Sequence, residues 1–308
     1  MKKKEVLKLG IYILLILLII TIVSAGFFDF FQDAKNRITG RAASDTTSLS
    51  IEIGNTAPVV DFVSSIPAQS VTEAGTTAVT FSFTATDTDG VDNLDDATAK
   101  GAFSLTGETT RTNSSCSLVG DLDSDTANYT CTIRVYYWDG AGDWTINASI
   151  EDINNAYAEN TSTTFTLSET TAMVMSPTAL TWPSISLTST NQLSNNDPIT
   201  INNTANKDIT DGNVKVTAIN MQGETTTTEY LLASNFTVNT ADACDTGTAM
   251  VNGTATGVSG ATITAGNNSA GQGQEELYFC LEEVSSGISQ QTYSTAGAGT
   301  DAWTIGVS

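Results

Sequence analysis

Six side chains with cation-binding oxygens crowd one short stretch: Asp87, Asp89, Asp92, Asn93, Asp95 and Asp96. Clustered carboxylate and amide oxygens suit Ca²⁺, which takes six to eight of them. The order is not that of a helix–loop–helix calcium loop, since Gly90 comes early and no Glu closes the run. The competing reading is a solvated turn, because Asp and Asn favour turns by bonding their own backbone. Asp121, Asp123 and Asp125 form a second acidic stretch open to the same two readings. Calcium is thus the one cofactor expected, and only as a structural ion.

Other chemistry is sparse. The chain has no His, which removes the commonest general base and the usual zinc ligand. No carboxylate pair stands out for acid–base work, so the expectation is a protein that is not an enzyme. Four cysteines allow three pairings. One pair per half of the chain gives Cys116 with Cys131 and Cys244 with Cys280. A metal site lacks the short Cys-x-x-Cys spacing such sites use. Asn-x-Ser/Thr sequons occur at Asn113, Asn128, Asn147, Asn160, Asn202, Asn235, Asn252 and Asn267. They are chemically open to glycosylation if the chain is exported. The run Tyr136-Tyr137-Trp138 is a potential carbohydrate platform. Alternation along a strand, however, sends one or two of the three into a core.

The elements that position these residues read as strands. Val79-Thr80-Phe81-Ser82-Phe83-Thr84 alternates apolar and hydroxyl side chains, the period of a half-buried strand. Strands are expected at 59–63, 79–86, 101–105, 115–118, 129–138, 144–151 and 163–167. A second set is expected at 179–188, 198–202, 213–219, 230–232, 261–264, 277–282 and 303–307. Turn signals separate them at intervals typical of sandwiches. A Tyr-x-Cys strand, a Gly-Ala-Gly turn and a Trp-Thr-Ile strand recur in order, at Tyr129, Gly140 and Trp144 and again at Tyr278, Gly297 and Trp303. This ordered set implies a duplicated or related module.

The N-terminus is different in kind. Lys2, Lys3, Lys4 and Lys8 precede an apolar run ending in Val23-Ser24-Ala25. That is the layout of a secretory signal. The uncharged run from Leu9 to Phe28 is also long enough to anchor the chain in a bilayer. Both readings leave the Lys cluster inside and the remainder outside. Residues 1–25 are therefore read as signal peptide or anchor. Residues 26–44, with Phe27, Phe30, Phe31, Ala34 and Ile38 on one helical face, are read as an amphipathic juxtamembrane segment. Residues 45–56 are a linker or extra strand, 57–169 a first sandwich and 170–308 a second.

Seven of the 12 Lys and Arg lie before residue 42, and the net charge is −22. The body is acidic through lack of bases. Nucleic acid, whose phosphates need clustered Lys and Arg, is excluded as a partner.

Asn55-Thr56-Ala57-Pro58-Val59-Val60 followed by Phe83-Thr84-Ala85-Thr86-Asp87-Thr88-Asp89-Gly90 resembles the opening of cadherin-like and polycystic-kidney-disease type modules. Trp144 through Asp152 and then residues 163–167 resemble their closing strands. Asp125-Thr126-Ala127-Asn128-Tyr129-Thr130-Cys131 is similar to the Asp-x-Ala-x-Tyr-x-Cys pattern of immunoglobulin domains. It departs from that pattern in context: Cys116 is close by, and Trp138 and Trp144 follow Cys131. The whole layout, with its Phe-rich junction and Ile38-Thr39-Gly40-Arg41, resembles archaeal cell-surface proteins built from such repeats.

The resemblance implies an all-β chain of two tandem immunoglobulin-like β-sandwich domains after an N-terminal hydrophobic helix. It implies an extracellular or cell-surface protein, secreted or membrane-anchored, with a structural or adhesive role. Its expected partners are the membrane, through the N-terminal segment, and other surface proteins or copies of itself. Two alternatives stay open. One is a pair of carbohydrate- or protein-binding modules. The other is a filament subunit joined by strand exchange, in which Ser48-Leu49-Ser50-Ile51-Glu52-Ile53 is the alternating donor and the second module exposes an edge.

Overall fold

The computed structural model describes residues 50–297 and 302–308, together with Lys8, Gly10, Ile11, Ile13 and Leu15, which are helical. The expectations for 1–25, 26–44 and 45–49 otherwise lie outside the described residues. No helix among those described is long and apolar enough to cross a membrane. Residues 50–56 form no strand. The chain divides into Met1–Gly54 and Asn55–Ser308.

The larger unit is built of strands. Its first half contains β1 (Val59–Val63), β2 (Gln69–Ser70), β3 (Thr76–Thr86), β4 (Leu94–Ser104), β5 (Arg111–Asn113), β6 (Ser117–Asp121), β7 (Thr126–Tyr136), β8 (Gly142–Asp152) and β9 (Tyr157–Ser168). One sheet runs β1-β3-β7-β6 and the other β2-β9-β8-β4-β5. All neighbours are antiparallel except β2 and β9. Alternation explains why the two sheets hold together. β3 turns Val79, Phe81, Phe83 and Ala85 inward, and β8 turns Trp144, Ile146, Ala148 and Ile150 inward. These faces share one core, in which Phe103 lies 5.7 Å from Phe81 and 4.7 Å from Phe165. Trp144 is fully buried, and its indole N–H is satisfied by the Gly140 carbonyl at 3.0 Å. Gly101 must be glycine, because a Cβ there would stand 2.9 Å from the Phe81 ring.

The second half contains β10 (Met173–Ser176), β11 (Thr190–Leu193), β12 (Ile199–Asn203), β13 (Val214–Thr217), β14 (Met221–Gly223), β15 (Tyr230–Leu231), β16 (Phe236–Asn239), β17 (Thr248–Ala249), β18 (Ala255–Gly257), β19 (Gln274–Glu283), β20 (Tyr293–Ser294) and β21 (Thr304–Val307). The main sheet is β10-β12-β19-β16-β17, with β11 also on β19. Two small sheets, β18-β13-β21 and β15-β14-β20, complete it. One apolar cluster, from Ile199 and Val216 to Phe279 and Leu281, joins them.

Two expected strands are absent. Residues 179–188 form no strand. Leu180, Trp182, Ile185 and Leu187 still pack on the core. Pro183 supplies no N–H and breaks the alternation, so the segment runs over the core without a ladder. Residues 261–264 likewise contribute only an isolated bridge from Ile263 to Ile209.

The duplicated motif does not superpose side chain for side chain. Tyr129 and Cys131 point into the first core, whereas on β19 it is Leu277, Phe279 and Leu281 that do so. A one-residue change of phase turns every side chain to the other face. Nor are the motif's two strands a hairpin. In each half the Cys strand and the Trp strand belong to different sheets.

Candidate functional site

The acidic stretch at 87–96 begins as β3 ends. Asp87 is fully buried. Its carboxylate accepts the Asp89 N–H at 2.8 Å and the Asn93 amide at 3.0 Å. Asp89 accepts the Thr56 N–H at 2.7 Å. Asn55 sits at the centre of this end of the sandwich. It donates to Asp152 at 2.6 Å and accepts from Asn93 at 3.1 Å and Asn154 at 2.7 Å. Burial raises the Asp152 carboxyl, but the Asn55 amide and the N–H groups of Ala156 and Asn154 outweigh it and hold the carboxyl below its ordinary value.

The six residues named from sequence do not converge. Strand β4 begins at Leu94 and takes Asp95 and Asp96 away from Asp87. Asp95 accepts the Ala97 N–H, and Asp96 accepts the Tyr129 hydroxyl at 2.6 Å. Asp92 is exposed on the Val91–Asn93 turn. Among the described residues no three His, Cys, Asp or Glu side chains are placed to hold one metal ion. In the second stretch Asp123 caps its own turn, accepting from Asp125 N–H and Thr126 N–H. The Asp125 bond leads in holding its carboxyl below the usual value. Asn55 was missed in the sequence because it read as linker. Its signal was only that an amide precedes the first strand.

The two disulfides are Cys116–Cys131 and Cys244–Cys280, one in each half of the larger unit. Of the eight sequon asparagines, Asn252 is exposed, its side-chain oxygen accepting the Asn220 N–H. The amides of Asn113, Asn147 and Asn160 are engaged with the Thr132 carbonyl, Glu159 and the Val60 carbonyl. Asn128, Asn202, Asn235 and Asn267 are half-buried. Tyr137 is buried in the core, while Tyr136 and Trp138 stack on each other at 4.7 Å. Arg111 lies over the Tyr136 ring and pairs with buried Asp139. The aromatic run therefore spends its faces internally.

A concavity opens in the second half of the chain. It is a groove of about 1000 Å³ between the strand-free segment at 178–187 and the rim formed by 288–295 and β21. Phe236 forms its floor, with Trp182 at 5.3 Å and Trp303 at 5.1 Å, both edge-on. The indole nitrogens of Trp182 and Trp303 are satisfied by the Gln192 and Ile219 carbonyls. Both rings are thus fixed with their apolar faces available. The rim is held by Glu229, which accepts from Ser289, Gln291 and Tyr293. The Ser289 bonds lead in keeping the Glu229 carboxyl below its ordinary value. Beside the groove, β21 is the last strand of its sheet. The site offers apolar surface together with an open strand edge. Sequence reasoning offered an exposed edge only within the strand-exchange alternative and gave no sign of the groove, which forms where the segment at 179–188 fails to pair.

No protein-family model matches the chain, and none of the curated proteins matches it.

Proposed function

We propose that this chain is an exported, non-enzymatic cell-surface protein whose tandem sandwiches form a structural or adhesive stalk. The observation that carries it is the pair of disulfides, each closed within one sandwich. Such bonds persist in oxidising compartments and are rare in the cytosol. The Lys-flanked apolar N-terminus supplies a route out. The order β1-β3-β7-β6 against β2-β9-β8-β4-β5, with β2 parallel to β9, supports an immunoglobulin-like assignment for the first module. A second reading, a binding module, is favoured by the apolar groove of the second sandwich.

Protease treatment of intact cells tests the location. A surface protein is cleaved while a cytosolic marker is spared. Protection of the chain in intact cells, with cleavage only after lysis, rules the proposal out.

A further inference from the structure

We propose that the groove of the second sandwich receives residues 48–53 of a second copy as an added strand beside β21, so that copies join head to tail. This gives the structural reading above its partner and rests on it.

The acceptor is the open side of β21. Among the described residues β21 pairs with β13 along one edge only and ends its sheet. The other edge presents a row of backbone donors and acceptors, a template for strand addition. Ile305 and Val307 turn toward the core, as does Trp303. A strand laid beside β21 would send alternate side chains into the groove, over Phe236 and between Trp303 and Trp182. The opposite wall, around Ile185 and Leu187, has no ladder of its own to satisfy.

The donor has the matching pattern. Leu49, Ile51 and Ile53 alternate with Ser48, Ser50 and Glu52. Ile51 is 76% exposed and Ile53 88% exposed, and neither is in a strand. Apolar side chains on one face of an extended segment are what an open edge over an apolar groove can bury.

Chain reach makes the donor a second copy. Asn55 and Thr56 are tied to Asp152 and Asp89. Those residues lie where β3 ends and β8 ends. The contacts with the second sandwich come from the opposite end, through Ala74, Tyr137 and Ser168. β3 and β7 pair over eleven positions between these ends, about 36 Å at ~3.3 Å per residue. Ile53 is two residues from Asn55, a reach of about 7 Å. It cannot enter the groove of its own chain. Donor and acceptor on opposite ends make a heterologous contact, which propagates as an open fibre unless its rotation closes into a ring. The net charge of −22 adds that copies repel, so assembly should strengthen as salt screens them.

The test uses the full chain in mild detergent. Sedimentation should show a ladder of oligomers that lengthens with salt. Ile51→Asp with Ile53→Asp should abolish the ladder while leaving the melting temperature unchanged, since both side chains are exposed. That variant, its acceptor intact, should still bind a labelled peptide of residues 46–54. Pairing Glu52→Cys with Thr304→Cys, which share the outward face in this arrangement, should give crosslinks between chains. Oligomers that survive the double Asp substitution overturn the proposal. So does a wild-type monomer that ignores the peptide, or an apolar small molecule found by mass spectrometry in the groove. Surface location is measured separately by protease access, so an exported monomer would sink strand exchange alone.

Discussion

Tyr137 of the first half and Asn268 of the second meet where the two halves join, the Asn268 N–H donating to the Tyr137 hydroxyl at 3.0 Å. The contact has company. The Ala74 N–H donates to the Thr204 carbonyl at 2.9 Å, and the Thr204 hydroxyl donates to Glu73 at 3.0 Å. Asn206, 6% exposed, accepts from the Thr170 N–H and donates to the Ser168 carbonyl. Buried polar groups satisfied from both sides fix an orientation, because rotating the modules would leave them unpaired.

Tyr137→Phe should therefore cost about 1 kcal/mol, the usual net worth of one such bond. Asn206→Ala should cost more, since it strands the Thr170 N–H and the Ser168 carbonyl together. Urea titration gives both values. Small-angle scattering should show a wider distribution of shapes for Asn206→Ala. An unchanged profile would mean that the linker itself, not these bonds, sets the angle.

The disulfides invite a direct comparison. Cys116 and Cys131 are separated by 15 residues, Cys244 and Cys280 by 36. In the chain-entropy model the shorter loop is worth about 3 kcal/mol and the longer one nearly ~4 kcal/mol. Cys131 lies in the first core, so its Ser variant adds a burial penalty. Cys116 is buried too, whereas of the second pair only Cys280 is buried and Cys244 is half-exposed. Paired Ser variants, compared by guanidinium unfolding, should show a larger loss at the first bridge than loop length alone predicts. A loss larger at the second bridge by about 0.8 kcal/mol would assign the difference to loop entropy alone.

Asp139 is fully buried, and Arg111 reaches it through both Nε and Nη2. Asp139 also accepts the Tyr136 N–H at 2.8 Å. Arg111→Met removes the only cation at this carboxylate among the described residues and leaves its charge buried. The expected loss is about 3–5 kcal/mol. Adding Asp139→Asn to that variant should recover part of it, because the amide is neutral and still accepts from Tyr136. A double variant no more stable than Arg111→Met would show that the guanidinium acts through its packing on Tyr136 instead.

These sites differ in how far the sequence disclosed them. Alternation was readable wherever one face is buried, and β1 falls at the expected 59–63. β16 was missed because Phe236, Thr237 and Val238 are all buried in succession, leaving no alternation to read. β2 and β5 were missed because their few residues are half-exposed. The cysteine pairing was legible from one pair per half. The acidic stretch misled, since adjacent carboxylates in sequence are parted once Leu94 starts a strand. The groove depends on contacts between residues far apart, such as Trp182 with Phe236, which no local pattern reports.

The hydroxyl of Tyr129 makes the last prediction. Its ring is fully buried and stacks on Phe83 at 5.1 Å, while its hydroxyl donates to the exposed carboxylate of Asp96. Burial, then the Asp96 bond and its charge, push the phenol far above its ordinary value of 10.0. The folded value is thus raised above the unfolded one. The contribution to stability is fully present below about pH 10 and is lost progressively as pH rises beyond it. Tyr157, Tyr278 and Tyr293 shift the same way, burial leading for Tyr157 and Tyr293 and the Glu276 bond for Tyr278. Denaturant midpoints from pH 8 to pH 11.5 should hold flat and then fall. Tyr129→Phe should be less stable at neutral pH yet fall less steeply above pH 10. Asp96→Asn should leave the onset near pH 10 and reduce the total loss, because removing the carboxylate eases ionisation in the folded chain. A wild-type curve that stays level to pH 11.5, or a Tyr129→Phe curve of unchanged steepness, would show that this phenol ionises without opposing the fold.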